Sequence, residues 1–159
     1  MARVWLSCDA SPSGVTVQVV RGSHRWNVVY DTATMANSEV RTSGEGAEFS
    51  YDGMAAPGQP PVPDIDAHRD SFDILSWDVE PGDAVVFNGN MLHGAEGRDH
   101  HPLPRRALAV MYGGPDLRYH RPAGPAMPLP DAKPAPDIPH GAPIGGWPQA
   151  FPVIWREST

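Results

Sequence analysis

Proline and glycine interrupt this chain so often that it has no room for long helices. Nineteen prolines and sixteen glycines fall among 159 residues, and almost every stretch of a dozen holds one or the other. A helix of several turns would have to cross these breaks, where proline lacks the amide donor and glycine gives up extra backbone entropy. What survives between the breaks is short and strand-like. Residues 3–8 (RVWLSC) read as a buried strand. Residues 15–20 (VTVQVV) alternate with period two, so Val15, Val17 and Val19 share a face. Strand character returns at 72–80 (FDILSWDVE), 84–87 (AVVF), 90–95 (NMLHGA) and 105–114 (RRALAVMYGG). Turn signals separate these runs: DASPSG, the Gly-Ser of RGSHRWN, PGD at 81–83, and Asn88-Gly89, which predicts a hairpin between its flanking runs. Short strands between turns predict an all-β sandwich or barrel.

The expected organisation is one core over residues 1–119, interrupted by a Gly/Pro-rich loop insertion at 31–63, and followed by a proline-rich tail over 120–159. The closing FPVIW (151–155) is expected to dock on the core. No internal repeat is visible. Hydrophobic residues make up 40%, enough for one globular core at this length but not comfortably for two. The formal net charge of −7 lacks the clustered Lys and Arg of a nucleic-acid footprint, and it disfavours an anionic membrane surface. A single cysteine, Cys8, excludes an internal disulfide or a cysteine-based zinc site, and it fits a reducing compartment. There is no apolar run of membrane-spanning length and no signal-peptide pattern. The chain therefore reads as soluble and cytoplasmic, with a small-molecule partner rather than nucleic acid or membrane.

Two runs could carry chemistry. His93 closes a strand and is followed by Gly94 and Ala95, which leave space beside a rigidly held imidazole. A metal ligand needs both, although a histidine at a strand end is more often a hydrogen-bonded core or rim residue. In the last strand, Arg105, Ala107, Ala109 and Met111 share one face, while Arg106, Leu108, Val110 and Tyr112 share the other. The Arg105 face is small enough to admit a carboxylate beside the guanidinium. The Arg106 face is bulky and reads as packing. A surface arginine at a strand start is the plain alternative.

The segments VWLSCDASPSGVTVQVVRGSHRWN, PDIDAHRDSFDILSWDVEPGDAVVFNGNMLHGAEG and RRALAVMYGGPDLRY, in this order, resemble the C-terminal half of phytanoyl-CoA dioxygenase family proteins. The resemblance runs from about Val4 to Tyr119. It implies a double-stranded β-helix, here a partial one, and an iron(II)- and 2-oxoglutarate-dependent oxygenase. By position, His93 matches the distal iron-binding histidine. Arg105 matches the arginine that holds the distal carboxylate of 2-oxoglutarate, with Arg106 as fallback for a one-residue slip. Trp5 matches a tryptophan lining that pocket, though a core tryptophan is an equal reading. Ser23 and His24 lie in a turn resembling the family's Pro-Gly-Ser-His, with Arg21 in the proline position, and read as fold-bearing.

The family's iron site is a facial triad of two histidines and a carboxylate. Its first histidine and its carboxylate come from an H-x-D motif upstream of the strand holding Trp5, where only four residues stand here. The expectation is a chain that starts just after that motif. The literal His68-Arg69-Asp70 falls in the wrong loop and reads as a solvated acidic turn, and His100 and His101 beside Asp99 read as exposed. EPGD…H resembles half of a cupin motif, without the upstream H-x-H that cupins need. These features together imply a partial oxygenase of this family, with Fe(II) and 2-oxoglutarate as cofactors and no catalytic side chain assigned. The alternatives are a non-catalytic small-molecule-binding barrel and a structural remnant. Unpaired sheet edges would favour self-association.

Overall fold

The computed structural model describes residues 1–31, 58–95, 105–120 and 137–156. The chain forms two compact units, one from Met1–Val28 with Asp64–Gly114 and one from Val29–Pro63 with Pro115–Thr159. Most of the predicted loop insertion and about half of the tail, together with Asp99, His100 and His101, lie outside the described residues.

The first unit holds six strands: β1 (Ala2–Ser7), β2 (Gln18–Val20), β3 (Ile74–Leu75), β4 (Ala84–Asn88), β5 (His93–Gly94) and β6 (Ala107–Tyr112). They form two antiparallel three-stranded sheets, ordered β4-β1-β6 and β3-β2-β5. Among the described residues no helix exceeds a single 3₁₀ turn, as the spacing of proline and glycine requires. None is long and apolar enough to cross a membrane.

Directly opposed residues in an antiparallel pair project from the same face. Val85 and Phe87 therefore share a face with Trp5 and Arg3, and so do Ala109 and Met111. Buried Val17, Val19 and Phe87 form a core against which Trp5, Leu75, Val85 and Met91 pack. That cluster draws side chains from both sheets, so the two sheets face each other across it. Burial of each large apolar side chain contributes about 1.5–3 kcal/mol, which is what keeps two such small sheets together. The fold is all-β, and among the described residues neither sheet closes into a barrel.

Three turns follow from their residues. Gly22 adopts φ 77° ahead of the 3₁₀ turn Ser23–Arg25, and Gly82 adopts φ 98° in the predicted PGD turn. In that second turn the Asp83 amide reaches the Glu80 carbonyl at 3.0 Å, while the Glu80 amide donates to Asp83 Oδ2 at 2.8 Å. The Asn88-Gly89 signal misleads. β4 pairs with β1 and β5 pairs with β2, so the segment carries the chain from one sheet to the other. Gly89 does not take the positive φ that a tight hairpin turn needs. The Asn88 side chain instead accepts the Asn90 amide at 2.9 Å, closing a local turn that redirects the backbone. The alternating run 15–20 is likewise strand only at Gln18–Val20, because all six of its residues are buried and the sheet binds only its end.

In the second unit, Ile138 is buried, the Tyr119 and Phe151 rings lie 6.4 Å apart, and Arg118 bridges to Pro143 ahead of a 3₁₀ turn at Ile144–Gly146. Val153, Ile154 and Trp155 of the closing stretch are exposed.

Candidate functional site

His93 sits on β5 directly opposite Val19, so its ring shares the inner face with a fully buried valine. The Phe87 ring packs against it at 5.1 Å. Its Nδ1–H donates to the Met91 carbonyl at 2.7 Å, which fixes the tautomer and leaves the Nε2 lone pair pointing inward. That is how a metal-binding imidazole is oriented. Burial, and secondarily the nearby Arg3 charge, hold the His93 pKa below its ordinary value, against the opposing effect of the Met91 carbonyl. That shift favours the neutral ring, whose Nε2 can accept a hydrogen bond.

The Nε2 position is nonetheless taken. Arg3, two residues before Trp5 on the inner face of β1, gives an Nη1–H to His93 Nε2. Its Nη2 lies 3.3 Å from the Met111 thioether. The period-two alternation that places Trp5 inward places Arg3 inward as well, so the sequence carried this signal although the family pattern did not call attention to it.

Trp5 packs on the core from the middle of β1, opposite Ala109. Ala107, Ala109 and Met111 make the inward row of β6 and stay exposed, so this part of the inner face is an open floor beside Trp5 and Arg3. Arg105 precedes that row in the same alternation, and its Nη1 donates to the carbonyl of buried Val15. Arg106 turns the other way. Its backbone N–H and Nη2 each lie 2.7 Å from the Asp9 carboxylate, and its Nε lies 3.1 Å away. Arg106 thus turns to Asp9, Arg105 is exposed ahead of β6, and the guanidinium touching His93 is that of Arg3 rather than Arg105. A surface groove lined by Trp77, Asp78 and Val85 contains none of these residues.

The Asp9–Arg106 fork holds the Asp9 carboxyl down, from 3.8 to about 2, chiefly through the side-chain hydrogen bonds from Arg106. A carboxyl lowered on folding adds stability that is complete above its ordinary pKa and is lost as the pH falls towards the folded value. Stability should therefore drop between about pH 4 and pH 2. Denaturant melts across that range should show a shallower drop for Asp9→Asn, and an unchanged slope would show that the fork does not form.

His68 and Asp70 are exposed, and His68 Nδ1 bonds the Asp64 carbonyl at 3.0 Å in a local turn. Ser23 is buried. Its hydroxyl donates to the Val20 carbonyl at 2.9 Å and accepts the Leu92 amide at 2.9 Å, fastening the approach to β5 onto the end of β2.

Among the described residues, no three His, Cys, Asp or Glu side chains gather where one ion could bind them. With a single imidazole whose lone pair already faces a guanidinium, the described donor set does not fit an iron ion.

The family model for phytanoyl-CoA dioxygenase (PhyH) matches residues 3–107, a span that includes Arg3, Trp5, His93 and Arg105. No curated protein and no solved structure gives a significant match. A match over this much of the chain, falling on the strands that carry these side chains, shows that the chain belongs to the phytanoyl-CoA dioxygenase family.

Proposed function

We propose that the inner face of the first unit is the oxo-acid-binding part of an iron(II)- and 2-oxoglutarate-dependent oxygenase. Arg105 anchors the distal carboxylate of 2-oxoglutarate, Trp5 lines the pocket, and His93 stands on the metal side. The observation that carries this reading is the facing of two inner surfaces. Register turns Trp5 and the Ala107–Met111 row inward from one sheet and His93 inward from the other, and the small side chains of Ala107 and Ala109 keep the floor open. Oxygenase turnover needs a second imidazole and a carboxylate on the iron, which the described residues do not supply. No catalytic step is therefore assigned to this chain.

Calorimetric titration with 2-oxoglutarate tests the reading. Truncating one partner of a paired charge costs about 2–5 kcal/mol, so Arg105→Gln should weaken binding by about 30-fold or more. Arg106→Gln should leave it nearly unchanged. Equal losses from both variants, or none from Arg105→Gln, would refute the assignment. Supplied with Fe(II) and 2-oxoglutarate, the 159-residue chain should release no carbon dioxide above a protein-free control. Tight stoichiometric iron binding with decarboxylation would overturn that expectation, and His68 and Asp70 would then be the first residues to replace.

The contact between Arg3 and His93 favours a second reading, a non-catalytic small-molecule-binding member of the family, because it places a cation where a metal ligand must be free.

A further inference from the structure

Arg3 brings a half-buried charge onto the inner face of the first unit without an anion to balance it. Its Nη1–H goes to a neutral imidazole nitrogen and its Nη2–H to a thioether, a weak acceptor. Its Nε is buried and has no hydrogen-bond partner. Among the described residues no carboxylate forms an ion pair with it. A guanidinium does not shed its proton to relieve burial, and a buried charge is costly unless it is paired.

We infer that Arg3 takes the metal's place beside His93, and that its Nε/Nη2 edge is a metal-independent site for a small carboxylate. The inference rests on reading this face as the oxo-acid site and gives that site a second anchor. The Nε–H and Nη2–H of a guanidinium are near-parallel donors whose spacing matches the two oxygens of a carboxylate. One of these donors has no partner and the other has only sulfur. Met111 is 57% exposed, and its flexible, unbranched side chain can swing aside at little cost. The neighbouring inward position on β6 is Ala109, which leaves room for the ligand. His93 then acts as a positioning residue. Its Nδ1–H is tied to the Met91 carbonyl, so Nε2 remains an acceptor and steers the guanidinium without competing for the anion. A divalent cation approaching Nε2 would instead meet a fixed positive charge at contact distance.

The test is a calorimetric titration of the full chain with 2-oxoglutarate in the presence of EDTA, for the native protein and the Arg3→Gln, Arg3→Met and Arg105→Gln variants. The expected result is one-to-one binding without metal, weakened about 10-fold or more by either Arg3 substitution. Arg3→Met should also melt at the same temperature as the native chain or higher, because it replaces a half-buried guanidinium, whose Nε is buried and unpaired, with a well-sized apolar side chain. That combination separates a ligand anchor from a structural arginine, whose loss would lower the melting temperature. Binding that appears only after Fe(II) is added overturns the inference, as does Arg3→Met with unchanged affinity and a lower melting temperature. Loss of binding in Arg105→Gln alone also overturns it, while leaving the oxo-acid reading in place. Affinity unchanged in all three variants overturns both.

Discussion

Replacing Phe87 with alanine is expected to cost the fold about 3–5 kcal/mol, the range for deleting a buried aromatic ring. Phe87 is 7% exposed, belongs to the cluster with Val17 and Val19, and supports the His93 ring. A single domain usually has only about 5–15 kcal/mol in hand, so this one change should consume a large share of it. Thermal or urea melts of Phe87→Ala should show the loss as a strongly lowered midpoint. Val86→Ala, one residue away, provides the control. Val86 points outward and is 63% exposed, so its truncation should change stability by no more than about 0.5 kcal/mol. Similar losses from both variants would mean that the two sheets do not share the core described above.

Ser23→Ala should cost about 1–3 kcal/mol, because it strands two backbone groups at once in a buried place. The Val20 carbonyl loses its donor and the Leu92 amide loses its acceptor. Since Leu92 precedes His93, the damage should concentrate at β5. Amide hydrogen exchange at Leu92 and His93 should accelerate well beyond that at β1 and β6, where the ladder does not depend on Ser23. Uniform acceleration across the unit would show that the serine serves the fold in general rather than the seat of the histidine.

Local chemistry was the part of this fold most legible in the sequence. The PGD turn needs glycine at φ 98° and an aspartate to close on the Glu80 amide, and both are visible as residues. The turn of Arg106 towards Asp9, away from the Ala107–Ala109 row, follows from period two. Pairing was harder to read, because a dipeptide such as Asn88-Gly89 reports on its own backbone and not on which strand lies nearby. The partner of β4 is β1, about eighty residues earlier in the sequence, and only the tertiary contact sets that choice. The shortness of β2 was hidden for a similar reason. Burial on both faces looks the same in a sequence whether or not a neighbouring strand is there to bind the backbone. At the site, alternation with Trp5 already pointed Arg3 to the inner face, but its contact with His93 depends on the facing sheet, which no local pattern reports.

The position of β1 has a consequence for how the chain folds during synthesis. It is the central strand of its sheet, yet Ala2 pairs with Asn88 on one side and with Tyr112 on the other. Neither partner exists when β1 leaves the ribosome. At about 5–20 residues per second, several seconds pass before β6 is complete, and during that time both edges of β1 are open. Contacts this distant along the sequence also make the final pairing slow, since a large loop must close before any ladder bond forms. The interval is a window for mispairing, and a chaperone that shields the RVWLS segment would act at the step where this fold is most easily lost.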